Sequence, residues 1–148
     1  MKLQKILIGI LLSVFISACN SSSDKIEKDI TIGECKKEGT TEGQYNYIGY
    51  KYKNSKLFIT HYNSPFYCYN KDSISVEVKK EDNLIEIKET QDFSLNGATR
   101  CTCLRDLNIT VDNIDIDVYQ INIYSNTTDN VISFTVDIEN KKEDIIYR

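Results

Sequence analysis

The feature that most constrains this chain is an alternation of apolar and polar residues at every second position, repeated in segment after segment. "SISVEVK" sets Ile74, Val76 and Val78 against Ser75 and Glu77. "VISFTVDI" sets Ile132, Phe134, Val136 and Ile138 against Ser133, Thr135 and Asp137, and "YQINIY" sets Tyr119, Ile121 and Ile123 against Gln120 and Asn122. In "CTCLRDLNITV" the residues Cys101, Cys103, Leu107, Ile109 and Val111 share a parity with one polar member, Arg105, while Leu104 is the apolar exception on the other side. Period two is the pattern of a strand buried on one face, and it is incompatible with the 3.6-residue repeat of a helix. Further strands are predicted at 45–52, 56–62 and 84–89, with a last one at "DIIYR". The links "KNS", "NSP", "KKEDN" and "SNTTDN" are short and polar, which predicts hairpins between sequential antiparallel strands, with Pro65 in a turn. Seven or eight such strands predict an all-β, antiparallel β-sandwich of immunoglobulin-like type, with a small barrel as the second choice.

The N-terminus has a different character. "MKLQKILIGILLSVFISAC" carries Lys2 and Lys5, then an apolar run from Ile6 to Ile16, then small residues before a cysteine. That is the layout of a secretory signal, and its apolar run is shorter than the roughly 20 residues that span a bilayer. "ISAC" resembles the bacterial lipobox, in which the cysteine is lipidated and becomes the first residue of the mature chain. The resemblance implies residues 1–18 as signal peptide, Cys19 as the lipidation site carrying palmitate-type acyl chains, and residues 19–30 as a polar tether. Each buried CH₂ of such chains contributes about 0.8 kcal/mol to membrane anchoring. By resemblance to lipoprotein sorting, Asn20 after the cysteine points to the outer membrane. Residues 31–148 then form one domain, enough for a single core. Without Lys2 and Lys5 the balance is 16 basic against 22 acidic residues. With no basic cluster to neutralise phosphates, nucleic acid is excluded as a partner, and the acidic surface reads as a solubility feature.

Four cysteines remain: Cys35, Cys68, Cys101 and Cys103. An even number in an exported chain reads as a disulfide framework. Residues i and i+2 of a strand lie about 6.6–7 Å apart at Cα, at the upper limit for a disulfide, so Cys101 and Cys103 should not bond each other. The strand is therefore expected to be stapled twice, once to "IGECKK" and once to "FYCYN". The pairing stays open between 35–101 with 68–103 and 35–103 with 68–101. A zinc or copper site using Cys101 and Cys103 is the competing reading, but it lacks the second C-x₂₋₄-C knuckle usual in four-cysteine zinc sites.

Two resemblances follow. "LNITVDNIDIDVYQINIY" resembles the strand–turn–strand of bacterial immunoglobulin-like and fibronectin-like modules, which implies Ile114 as an apolar turn plug and Tyr119 as a tyrosine corner whose hydroxyl bonds upstream backbone. "CTCLRDLNITV" resembles a C-x-C-x-x-D-L strand of small lipoproteins from Bacteroidetes-type bacteria, matched here by Cys101, Cys103, Asp106 and Leu107, with Cys68 as the upstream cysteine. That family shares a lipobox and a β-sandwich and carries no catalytic residues to transfer.

The remaining candidates are few. His61 is the single histidine, so any histidine-dependent catalyst would have to use it, yet no G-x-S-x-G accompanies it and a structural role is expected. Asp112, Asp115, Asp117 and Asp129 do not match the spacing of a calcium loop. Seven of the ten tyrosines fall between Tyr45 and Tyr69. Of these, Tyr50, Tyr52, Tyr62 and Tyr67 are the candidate ligand surface, beside a rim formed by the Asn-Ser-Pro turn. "DSI" resembles Bacteroidetes-type O-glycosylation sites, which implies Ser73 as an acceptor. No cofactor is expected. The reading is a non-enzymatic binding or accessory module of the cell envelope, membrane-attached through lipid on Cys19, with an envelope protein or glycan as partner. An envelope enzyme or inhibitor is the alternative, as is a metal-binding protein. One open tyrosine patch would favour binding, a cleft holding His61 beside a carboxylate and a hydroxyl would favour catalysis, and buried tyrosines with a buried His61 would leave a purely structural accessory role.

Overall fold

The computed structural model describes residues 28–36, 38–39, 45–68, 71–94, 101–128 and 130–147. The signal peptide, Cys19, Tyr69 and Asp129 lie outside the described residues. The chain folds as an all-β sandwich. One sheet contains β1 (Lys28–Ile32), β7 (Thr102–Val111), β4 (Lys56–Tyr67), β3 (Tyr47–Lys53) and β10 (Glu143–Tyr147) in that order, and the two-residue β2 (Glu38–Gly39) also pairs with β7. The other sheet runs β5 (Ile74–Glu81), β6 (Leu84–Gln91), β8 (Val118–Ser125) and β9 (Val131–Asp137). The inward parity of every strand read from the alternation meets in one core. Leu57, Ile59, Leu107, Ile109 and Val111 from the first sheet face Ile85, Ile87, Ile121, Ile123 and Val136 from the second, all buried. Full burial of each such side chain contributes about 1.5–3 kcal/mol.

Local chemistry sets the turns. Asn54 and Ser55 close the β3–β4 hairpin with φ of 54° and 56°, the left-handed pair that a two-residue turn requires. Ile114 is fully buried at the end of the sandwich, its amide donating to the Ser55 carbonyl at 3.0 Å. Tyr119 is buried as well, with a backbone hydrogen bond from Asp115 to its hydroxyl, so the plug and the tyrosine corner both form.

Three expectations change. β4 does not stop at Tyr62. A bulge sets Tyr62 and Asn63 opposite the single residue Asp106, with Asn63 at φ 54°, and the strand resumes with Ser64 and Phe66 inward. Pro65 therefore lies inside β4, opposite Leu104, rather than in a turn, and there is no Asn-Ser-Pro rim. β3 ends its pairing at Tyr62, so this stretch is a sheet edge where a proline is tolerated. Side chains of the opposite sheet complete the edge. Gln91 accepts from the Tyr67 amide at 2.8 Å and donates to its carbonyl at 3.1 Å, and the Thr127 hydroxyl donates to the Pro65 carbonyl at 2.8 Å. Second, β6 and β8 pair in parallel, because the chain leaves the second sheet to lay down β7 in the first and then returns. An immunoglobulin domain is antiparallel in both sheets. Third, the first strand begins at Lys28, within the segment read as tether, because Ile30 and Ile32 pack against the core while pairing with Ile109 and Leu107.

The disulfides answer the open pairing as Cys35–Cys103 and Cys68–Cys101, with Cα separations of 5.6 and 5.3 Å. Topology decides it. β7 has the 28–39 segment along one side and β4 along the other, and β4's register brings Cys68 opposite Cys101, their backbones joined by a 3.0 Å hydrogen bond. Each cysteine of the C-x-C reaches a different neighbour within the same sheet. The immunoglobulin disulfide, by contrast, crosses between sheets.

Candidate functional site

The alternation places His61 inward with Leu57 and Ile59, between the sheets, where it is 2% exposed. Its Nδ1 lies 2.7 Å from Oε1 of the fully buried Glu89, and the Ser64 hydroxyl donates to the other carboxylate oxygen at 3.1 Å. Histidine, carboxylate and hydroxyl thus come together, but in the wrong order for nucleophilic catalysis. In a serine relay the imidazole stands between the acid and the hydroxyl. Here the carboxylate stands between, and the His61 Nε2 has no hydrogen-bond partner among the described residues. Neither the groove over Gly49 nor the one beside Ile132 is lined by these three residues. The cluster is a polar tie across the core, joining β4 to β6 below the bulge that turns Ser64 inward.

The four candidate tyrosines do not form one patch. Tyr50 and Tyr52 pair with Ile59 and Leu57 and share their inward parity. Tyr50 is 6% exposed, and the two hydroxyls donate to the Lys141 and Ile114 carbonyls at 3.3 and 3.2 Å. Burial raises the Tyr50 hydroxyl above its ordinary value, with the nearby Asp144 charge acting in the same direction. Tyr67 lies elsewhere, edge-on to Phe93 with ring centroids 5.3 Å apart. Tyr62 faces outward on the middle of the larger sheet, stacked on Tyr47 at 4.5 Å and 16°, while the exposed Tyr67 lies at the far end of β4. Ser73 is 7% exposed in a 3-10 turn, Lys71–Ser73, and its hydroxyl accepts from Gln91 at 3.2 Å.

A groove of about 650 Å³ opens on the outer face of the larger sheet, where Tyr62 stands. Gly49 and Thr60, directly opposite each other on β3 and β4, form its floor. Phe58 and Tyr62 bound it along β4, and Ile145 and Lys51 flank it from β10 and β3. The glycine makes room for the Tyr62 ring, which leans across it: a Cβ there would lie 3.0 Å from that ring. Phe58 is 38% and Ile145 48% exposed, side by side with polar groups. Lys51 pairs with Glu143 at 2.8 Å, Asp144 with Lys141 at 2.7 Å, and the Thr60 hydroxyl donates to Asn108 at 3.0 Å. The ion pairs hold the Glu143 and Asp144 carboxyls below their usual range and the two lysines above theirs, through the hydrogen bond in each pair first.

The outer face of the other sheet differs. There Gln120, Asn122, Ser133 and Thr135 bond one another in a ladder of 2.7–3.4 Å contacts, and the Tyr124 hydroxyl donates to Glu86 at 3.1 Å. The aspartates of the 112–117 turn are also engaged locally: Asp112 pairs with Lys56 and Asp117 accepts from the Val118 amide, and no cluster of metal ligands occurs among the described residues. Searches against known families, curated proteins and solved structures return no match, so the site stands on its own geometry. Two disulfides belong to an oxidising, extracytoplasmic compartment, and no helix among the described residues is long and apolar enough to cross a membrane. The alternation could have flagged Phe58 and Thr60 as outward on 56–62. Gly49 and Ile145 had no signal, because their part depends on β10 returning beside β3.

Proposed function

We propose that this protein is a non-enzymatic binding module of the bacterial cell envelope, lipid-anchored through Cys19 at the outer membrane, whose ligand face is the outer surface of the larger sheet. The observation that carries the binding reading is the groove on that face, where the exposed Phe58 and Ile145 stand beside the Tyr62 ring and the Lys51–Glu143 pair. The buried Glu89 between His61 and Ser64 supports a binding module over an enzyme. The anchor fits the fold's polarity. Lys28 pairs with Val111, eight residues along β7 from Cys103, so the first described residue lies about 26 Å from the stapled end, on the side the lipidated Cys19 would approach from. The test is expression of the full chain in a Gram-negative host with labelled palmitate. Label in the membrane fraction, abolished in Cys19→Ala, is expected; an unlabelled protein in the periplasm refutes the anchor. Binding through the face is read by Phe58→Ala, as set out next.

A further inference from the structure

We infer that the groove over Gly49 takes a neutral oligosaccharide of about two to three rings, lying along β4 between Phe58 and Tyr62. The inference rests on the larger sheet's outer surface being the ligand face. Phe58 and Tyr62 are four residues apart on one face of the strand, about 13 Å, and the groove's volume falls in the range of small-ligand sites, about 300–1,000 Å³.

The chemistry of the lining selects the class. A sugar ring offers an apolar C–H face bordered by hydroxyls, and such a ligand needs flat or aliphatic surface next to short, adaptable polar groups. Phe58, Ile145 and the Tyr62 ring supply the first. Thr60, whose hydroxyl oxygen can accept while it donates to Asn108, and the exposed Lys51–Glu143 pair supply the second. Tyr62 is stacked on Tyr47, so its ring is set before a ligand arrives and little ordering entropy is lost.

Two other ligand classes fit less well. β3 is paired in register on both sides, with β4 and with β10, so a peptide could extend the sheet only at the outer edge of β10, beside the groove rather than along its floor. The charges around it cancel in pairs, Lys51 with Glu143 and Lys141 with Asp144, leaving no uncompensated charge for an acidic or basic ligand.

The test is calorimetry on the full lipidated chain in detergent. The probes are neutral hexasaccharides of β-1,4-glucose, β-1,4-mannose, α-1,4-glucose and β-1,4-N-acetylglucosamine, an acidic hexamer of galacturonic acid, and a strand-forming Thr-Val repeat peptide. Binding of at least one neutral hexamer is expected, weakened tenfold or more by Phe58→Ala and by Tyr62→Ala and unchanged by Gln120→Ala on the opposite face. Thermal melts of each variant check that loss of binding is not loss of fold. Binding of only the acidic hexamer or the peptide, lost in the same variants, refutes the sugar class and leaves the ligand face standing. Neutral-sugar binding indifferent to Phe58 and Tyr62 refutes the face itself. No binding by any probe overturns the inference.

Discussion

The two staples should be worth nearly the same, although one spans twice the sequence of the other. Cys68–Cys101 closes a loop of 33 residues, and Cys35–Cys103 spans 68. Taken separately, chain entropy assigns them about 3.7 and about 4.4 kcal/mol. The loops are nested, however. With Cys68–Cys101 in place, the ring added by Cys35–Cys103 runs from Cys35 to Cys68, crosses the inner staple and returns over Cys101 to Cys103. That ring is about 36 residues, worth about 3.8 kcal/mol. The two together contribute about 7.5 kcal/mol, so Cys35→Ala with Cys103→Ala should lose about 3.8 kcal/mol and Cys68→Ala with Cys101→Ala about 3.1 kcal/mol, a gap far smaller than the twofold difference in span suggests. Equilibrium urea unfolding of the oxidised proteins reads this, after intact mass confirms a gain of about 4 Da on reducing the wild type. Because a staple acts on the unfolded chain, the slope of stability against urea should steepen in both variants as that chain expands. A loss below about 1 kcal/mol, or a full loss with an unchanged slope, would refute the entropic reasoning.

Gln91→Leu removes three hydrogen bonds, two to Tyr67 backbone and one to Ser73, and should cost about 3 kcal/mol, lowering the melting temperature by about 12 °C; a drop under about 4 °C would show that β4's edge does not depend on it. Tyr50 and Tyr119 are both raised by burial above 10.0, so the unfolded chain ionises first as pH climbs. Stability should be intact below pH 10, fall as pH rises towards the folded values, and fall less in Tyr50→Phe with Tyr119→Phe, as read by urea unfolding at stepped alkaline pH. Gly49→Ala sets a Cβ 3.0 Å from the Tyr62 ring, which must shift against Tyr47 by a few tenths of an ångström. Stability should change by less than about 1 kcal/mol while the near-ultraviolet dichroism of the stacked pair changes, and an unaltered spectrum would contradict the contact.

Strand chemistry was legible in the sequence because side-chain parity is a local property. Alternation within seven or eight residues identified the inward faces of β5, β7, β8 and β9, and it placed His61 with Leu57 and Ile59. The buried plug at Ile114 and the corner at Tyr119 were legible for the same reason: both are made by residues near one another in the chain. The double staple was legible as geometry, since i and i+2 on a strand cannot bond each other.

What the sequence left open were relations between strands, and these belong to the tertiary structure. The bulge at Tyr62 and Asn63 is held by Asp106, 43 residues away, whose carboxylate accepts the Asn63 amide at 3.1 Å and Lys36 at 2.6 Å. That contact shifted the parity of everything after it, turning Ser64 inward toward Glu89 and carrying Pro65 into a strand. Tyr50 and Tyr52 were read as surface because tyrosine suits either side of a sheet; only the register with Ile59 and Leu57 assigned them to the core. The choice between two disulfide pairings waited on which neighbour lay on which side of β7. The groove waited on β10, which arrives from the end of the chain to wall a glycine nearly a hundred residues earlier. Alternation tells each strand which side to bury, because the pleat repeats every two residues; it carries no information about which strand lies alongside, because that is settled by the packing of the whole sandwich.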